Sequence, residues 1–200
     1  IQKMLHSKDI SSHIFKDQVI FEELEITKDD KSPYTVFTPY KKKWLQNFNL
    51  SGVSSVLENK PKHFYKGNTS FPSLNSIGFK PSLIQIPPFD LSVVEDYKKL
   101  RDFPSIKGTS QLSTHLRFGT VSIRNIIQNL NVDSVFLSEL IWREFFMQIL
   151  YNFPNVVSSN FKAKYNQIEW RNNQKEFKAW CEGKTGYPIV DAGMRELNET

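Results

Sequence analysis

The sequence predicts a chain of two unlike parts, a mixed N-terminal segment and an all-α remainder, joined by a long connection. Residues 1–50 alternate between extended-looking and helical patterns. Residues 51–90 are rich in Ser, Asn and Gly, and Pro61, Pro72, Pro81, Pro87 and Pro88 interrupt any helix there. From LSVVEDYKKL (91–100) onward, apolar residues recur at helical spacing with no internal repeat. A connection of that length is uncommon inside a compact domain, so residues 51–90 are expected to join two domains.

Taken in order, Ile1, Met4 and Leu5 have helical spacing, with neither an initiator Met nor a capping residue before them. QVIFEELEI (18–26) suits a strand region, YTVFTPY (34–40) a short extended segment, and KKKWLQNF (41–48) an amphipathic helix. In the all-α part, Gly108 precedes a helix start rich in hydroxyls, and SELIWREFF (138–146) is a strongly apolar helix carrying charge. YPIVDAGMRELNET (187–200) places Pro188 in a first turn and Val190, Met194 and Leu197 on one face. That helix meets no stop signal before Thr200, and both ends look cut, so the chain is expected to be an internal fragment.

Hydrophobic residues at 39% and aromatics at 14%, with sixteen Phe, suffice for a real core and exclude a disordered tail. A net charge of +5 permits a polyanionic partner, yet ordinary solvated surface explains it equally well. Cys181 is the sole cysteine, so no intrachain disulfide can form and a reducing compartment is expected. His6, His13, His63 and His115 lack metal-ligand spacing, so no metal site is expected. No apolar run reaches the roughly 18 residues of a membrane span, and no signal peptide opens the chain. The expectation is a soluble, cytoplasmic monomer.

Within SELIWREFF, Glu139 and Arg143 are four residues apart with Glu on the N-terminal side, so they share a helix face in the favourable orientation. Trp142 and Phe146 border that face, while Leu137, Leu140, Ile141 and Phe145 fill much of the rest. Two readings stand: an internal ion pair beside a packed Trp, or the wall of a ligand cavity. Upstream, Thr109, Ser110 and Ser113 gather hydroxyls at a helix start, which suits either plain N-capping by Thr109 or a phosphate site. GKTG (183–186) fails as a phosphate-binding loop because Lys178 stands where the upstream Gly belongs, and no G-x-G-x-x-G occurs. Trp170 and Trp180 read as core packing on spacing alone.

Read together, YKKLRDFP, GTSQLSTHLRFGTVS, ELIWREFF and WCEGKTGYPIVDAGMREL resemble the DNA photolyase and cryptochrome family. The ELIWREFF form is most like the class I photolyases of cyclobutane pyrimidine dimers. The resemblance implies that residues 1–50 are the C-terminal part of an α/β antenna domain, 51–90 an interdomain linker, and 91–200 the first half of an all-α flavin-binding domain. It implies FAD, with Tyr97, Thr109, Ser110, Gln111, Leu112 and Ser113 around its phosphates and ribityl chain. Phe136 would stand beside the flavin, and Gln111 replaces an Arg found in many relatives. Glu139, Trp142 and Arg143 match the floor of the pocket that receives a flipped-out dimer, and Glu139 also borders the cofactor. Arg101 matches a DNA-phosphate contact, and Trp170 the outer member of a tryptophan relay that photoreduces the flavin. A second, antenna chromophore of folate or deazaflavin type is in keeping with the family, though TKDDKSPY shows no folate-contacting pattern. The implied activity is light-driven repair of pyrimidine dimers in DNA, with a cryptochrome photoreceptor as the alternative. The 200 residues alone are expected to be inactive.

Overall fold

A computed structural model describes residues 1–49, 53, 67, 70–131 and 134–199. Most of the connection up to residue 69 therefore lies outside the described residues. The described residues hold eight α-helices and several short 3-10 turns, and no strand. The only pairing of strand type among them is an isolated bridge between Thr27 and Pro33. The chain falls into two compact units: residues 1–69 with 86–157, and residues 70–85 with 158–200.

In the first unit, α1 (Gln2–His6) has no buried residue. Helix α2 (Phe37–Asn47) buries Tyr40 and Trp44. It starts four residues earlier than its sequence pattern suggests and absorbs most of the YTVFTPY segment. Pro39 does not stop it, because a first-turn residue has no intrahelical N–H partner to lose. Helices α3 (Tyr97–Leu100), α4 (Leu112–Phe118) and α5 (Ile123–Gln128) are short. Helix α6 (Val135–Asn152) is the axis of the unit, capped by Ser134, whose hydroxyl accepts from Leu137 N at 3.0 Å. Pro154 follows directly after its end.

Helix α6 packs against both α2 and α3. Its buried stripe runs Leu137, Leu140, Ile141, Glu144, Phe145, Gln148, the three-and-four spacing of a single helical face. Tyr40 and Trp44 of α2, Leu112 and Leu116 of α4, and Ile123, Ile126 and Ile127 of α5 close the core around it. Burying an aromatic such as Trp44 contributes about 1.5–3 kcal/mol, so α2 is anchored mainly by these two residues.

The strand expected over residues 18–26 does not form. Side chains, not a neighbouring strand, satisfy its backbone. Arg124 donates to Asp17 O at 2.6 Å and to Val19 O at 3.0 Å, and Arg143 donates to Gln18 O at 2.7 Å. The next two amides, Ile20 N and Phe21 N, donate to the Glu144 carboxylate at 2.8 and 3.1 Å. With those groups already paired, a sheet ladder has nothing left to offer them. The described residues of the expected α/β portion are accordingly helix and irregular chain.

The second unit is built on α7 (Gln174–Cys181) and α8 (Pro188–Glu199), which pack together. Asn173 caps α7, its side-chain oxygen accepting from Lys175 N and Glu176 N. Gly183 makes the turn between them at φ 64°, and a Cβ there would fall 2.9 Å from Asp191 O. Asp191 in the first turn of α8 accepts from Thr185 N at 2.7 Å, Thr185 Oγ1 at 2.6 Å and Gly186 N at 3.0 Å. These bonds hold its carboxyl below the usual range, the Thr185 hydroxyl contributing most. They also explain in physical terms why GKTG is not a phosphate loop: an internal carboxylate already occupies the amides of its second half.

Candidate functional site

A cavity of about 480 Å³ opens in the first unit, lined among others by Tyr97, Ser110, Leu112, Ser113, Phe136, Glu139 and Arg143. Three elements supply its walls. Helix α3 gives Tyr97, α4 with the loop leading into it gives Ser113 and Ser110, and α6 gives Phe136, Glu139 and Arg143 one turn apart. The loop reaches this position through two features. Asp90 N donates to Ser110 O at 2.9 Å. Gly108 lies so close to α3 that a Cβ would sit 2.7 Å from Leu100 Cβ and 3.0 Å from the Leu100 carbonyl.

Gln111, at φ 56°, is the left-handed N-cap residue of α4 and makes no side-chain cap bond. Thr109 is therefore not the N-cap that its spacing suggests; its hydroxyl instead accepts from Gln111 Nε2 at 3.3 Å. Thr109 and Gln111 are both exposed, and Ser110 is buried. The hydroxyls that line the cavity belong to Ser110 and Ser113.

Glu139 forms an ion pair with Arg101. Arg101 in turn lies over the Tyr97 ring, 5.2 Å from its centroid, and Tyr97 meets Phe136 edge-on at 5.1 Å. The Glu139 carboxylate is the first cause raising the Arg101 pKa, and burial raises that of the Tyr97 phenol. This chain of contacts ties the carboxylate on α6 to α3. Arg143 lines the same cavity, but its donors go to backbone: Gln18 O, and Leu116 O at 3.3 Å. Burial lowers its pKa.

Trp142 does not line this cavity. It stacks on Phe37 of α2, with centroids 3.5 Å apart and planes 8° from parallel, and meets Phe145 edge-on. Trp170 stands in the second unit, 72% exposed. The sequence-based candidates thus separate. Tyr97, Ser110, Leu112, Ser113, Phe136, Glu139 and Arg143 share one cavity, Arg101 reaches it through Glu139, and Thr109, Gln111 and Trp142 lie outside its lining.

Sequence reasoning missed Gln18, Leu116, Arg117, Leu140 and Met147 as lining residues, along with the charged centre beneath them. That centre is Glu144, only 4% exposed, whose Oε1 accepts from Trp44 Nε1 at 2.7 Å as well as from Phe21 N. The signal was in the spacing, since Glu144 lies three and four residues after Ile141 and Leu140 on the apolar stripe. Burial of the Tyr40 phenol raises its pKa, and the neighbouring Glu144 carboxylate adds to the effect.

The contents of the cavity suit a ligand that is part aromatic and part anionic. It offers the Phe136 and Tyr97 rings, two serine hydroxyls, and the guanidinium-bearing Arg117 and Arg143 in a mostly apolar surround. Residues 1–62 match the family model described as DNA photolyase, and residues 136–200 the one described as FAD binding domain of DNA photolyase. A deoxyribodipyrimidine photo-lyase of Vibrio cholerae is 34% identical over all of this chain and 48% of its own length. Proteins of the same name from Alkalihalophilus pseudofirmus and Escherichia coli are each 32% identical, over 98% and 93% of this chain and 46% and 44% of their own lengths. The chain spans about half the length of these relatives. It belongs to the DNA photolyase family.

The Gly108 contact gives a direct test of the loop. Gly108→Ala is expected to lower stability by about 1–3 kcal/mol, the usual cost of overpacking, because two of the three close atoms are Leu100 backbone. A thermal melt identical to that of the parent protein would show that the loop does not depend on this contact. Among the described residues, no helix is long and apolar enough to cross a membrane, and no cluster of His, Cys, Asp and Glu could hold a metal ion.

Proposed function

We propose that the full-length protein is a deoxyribodipyrimidine photolyase, which repairs cyclobutane pyrimidine dimers in DNA using reduced FAD and light. The observation that carries this reading is the placement of Glu139 on the wall of the cavity shared by Ser110, Ser113 and Phe136. A carboxyl that contacts the lesion therefore stands beside the residues that would hold the cofactor. When bound, FAD supplies the light-driven electron that opens the cyclobutane ring and afterwards takes it back.

The chain's own residues bind and orient. Ser110 and Ser113 donate hydroxyl protons toward the phosphates, and Leu112 packs beneath them. Thr109 and Gln111 support that loop from its exposed side. Phe136 and Tyr97 form an apolar wall that keeps water from the reacting rings. Glu139 presents its carboxyl to the pyrimidine edge, and Arg101 fixes the rotamer of Glu139 until DNA arrives. A guanidinium at that rim also suits a backbone phosphate, which positions DNA without reading its sequence. Trp142 supplies a stacking surface for the flipped dimer. The exposure of Trp170 suits the outer end of an electron relay, where an external reductant meets the indole. An antenna chromophore of folate or deazaflavin type fits the same reading, with no residue of this chain assigned to it.

Three variants test the reading in the full-length protein. Glu139→Gln keeps the shape of the side chain but loses its ionisable proton. It is expected to bind dimer-containing DNA nearly normally while splitting dimers at lower quantum yield. Arg101→Ala is expected to weaken damaged and undamaged DNA alike and to flatten the salt dependence by about one phosphate contact. Trp142→Ala is expected to weaken dimer-containing DNA alone, by roughly 1–3 kcal/mol. Full repair yield from Glu139→Gln would make the carboxylate structural.

A further inference from the structure

We propose that Phe37 is a placeholder for the flipped-out pyrimidine, covering the face of Trp142 on which the lesion stacks and leaving when damaged DNA enters. The proposal rests on the reading of Trp142 as the stacking surface.

The geometry of the pair is what points there. Phe37 lies over Trp142 at 3.5 Å and 8°, a nearly parallel overlay. Aromatic side chains avoid that arrangement, because both ring faces carry negative charge density; offset or edge-on contacts are preferred. The neighbouring rings follow the preference. Phe145 meets Trp142 at 76° and Phe37 at 70°, and Phe146 is offset from Trp142 at 5.3 Å. Phe37 on Trp142 is the exception within this cluster. A pyrimidine-dione ring is poorer in electrons than a phenyl ring, so it suits the electron-rich indole face better in the same parallel position.

Phe37 is also placed to leave. It is the first residue of α2, preceded by extended, exposed Val36. The residues that anchor α2, Tyr40 and Trp44, are buried one and two turns further on. As the first helical residue, Phe37 has an amide without an intrahelical acceptor, so freeing it alone breaks only the bond its own carbonyl accepts and any made to the residue before it. The ring can therefore swing off Trp142 while the rest of α2 stays docked on α6. An intact base pair does not offer a cheaply extruded ring to take its place, whereas a damaged step does. The exchange adds selectivity at the cost of some affinity.

The test measures binding of the full-length protein to dimer-containing and undamaged DNA. Phe37→Ala is expected to tighten binding to dimer-containing DNA roughly two- to tenfold, the scale of one ring–ring contact, and to leave undamaged DNA unchanged. Phe37→Leu keeps bulk without a ring, which protects the first turn of α2 from collapse, and is expected to act in the same direction. In a Trp142→Ala background, neither substitution should matter. Unchanged or weaker dimer binding in both Phe37 variants, with Trp142→Ala still weakening it, overturns the placeholder and leaves the stacking surface standing. Dimer binding untouched by Trp142→Ala removes the stacking surface and the placeholder with it.

Discussion

Glu144→Ala is expected to destabilise the protein by about 3–5 kcal/mol, a large part of the 5–15 kcal/mol that holds a typical domain. Its carboxylate accepts from Ile20 N, Phe21 N and Trp44 Nε1, and alanine would leave the buried indole and two part-buried amides without these partners. Denaturation followed by tryptophan fluorescence reads the loss, since Trp44 is among the residues affected. A change below about 1 kcal/mol would mean that water enters and replaces the carboxylate.

The same residue sets a pH dependence. Burial is the leading cause and raises the Glu144 pKa, while the three N–H donors and Arg143 pull it the other way without reversing it. A carboxyl whose folded pKa lies above its unfolded value, about 4.3, contributes most below that value. Its contribution declines as pH rises through the folded pKa. Glu144→Gln cannot ionise and keeps an oxygen for Phe21 N and Trp44 Nε1, though its amide faces Ile20 N poorly. The lead of the parent protein over Glu144→Gln should therefore narrow as pH is raised from about 4 to 7. A lead that widens instead would show that hydrogen bonding outweighs burial.

Arg143→Ala is expected to cost about 2 kcal/mol, within the range for hydrogen bonds made by a charged group, after allowance for its half-exposed position. It should also weaken flavin retention roughly tenfold or more, because Arg143 holds Leu116 O and so steadies α4, which carries Leu112 and Ser113. Arg143→Lys should recover little, since a single ammonium lacks the fork that spans Gln18 O and Leu116 O. If stability and flavin retention stay intact and only dimer-containing DNA binds less well, Arg143 touches the lesion itself.

The helical half of the fold was legible because its pattern is strong. The apolar face of α6 and the helix after Pro188 both follow from local spacing and chemistry. Residues 18–26 misled for a definite reason. Val19, Ile20 and Phe21 do form an apolar run, but the partners of the Gln18–Phe21 backbone lie more than 100 residues further on, in α5 and α6. No local rule reports that. At the site, spacing alone placed Glu139 and Arg143 on one face, and both line the cavity. Spacing could not tell that Trp142, one residue before Arg143, turns toward α2. Nor did it assign the helix cap correctly, since Gln111, not Thr109, takes the left-handed backbone that starts α4.

The segment from Asp17 to Phe21 is addressed by charge. Two guanidinium side chains take three successive carbonyls, and one carboxylate takes the two amides that follow. An ordinary strand can slide past its neighbour by two residues and recover an equivalent ladder. Here a slide would bring amides toward cations and carbonyls toward an anion, so the order of polarity itself locks the alignment. The five paired groups are equally closed to any foreign strand in search of an edge. Length changes between residue 21 and α5 should therefore be absorbed in the intervening chain, while Asp17–Phe21 keeps its place.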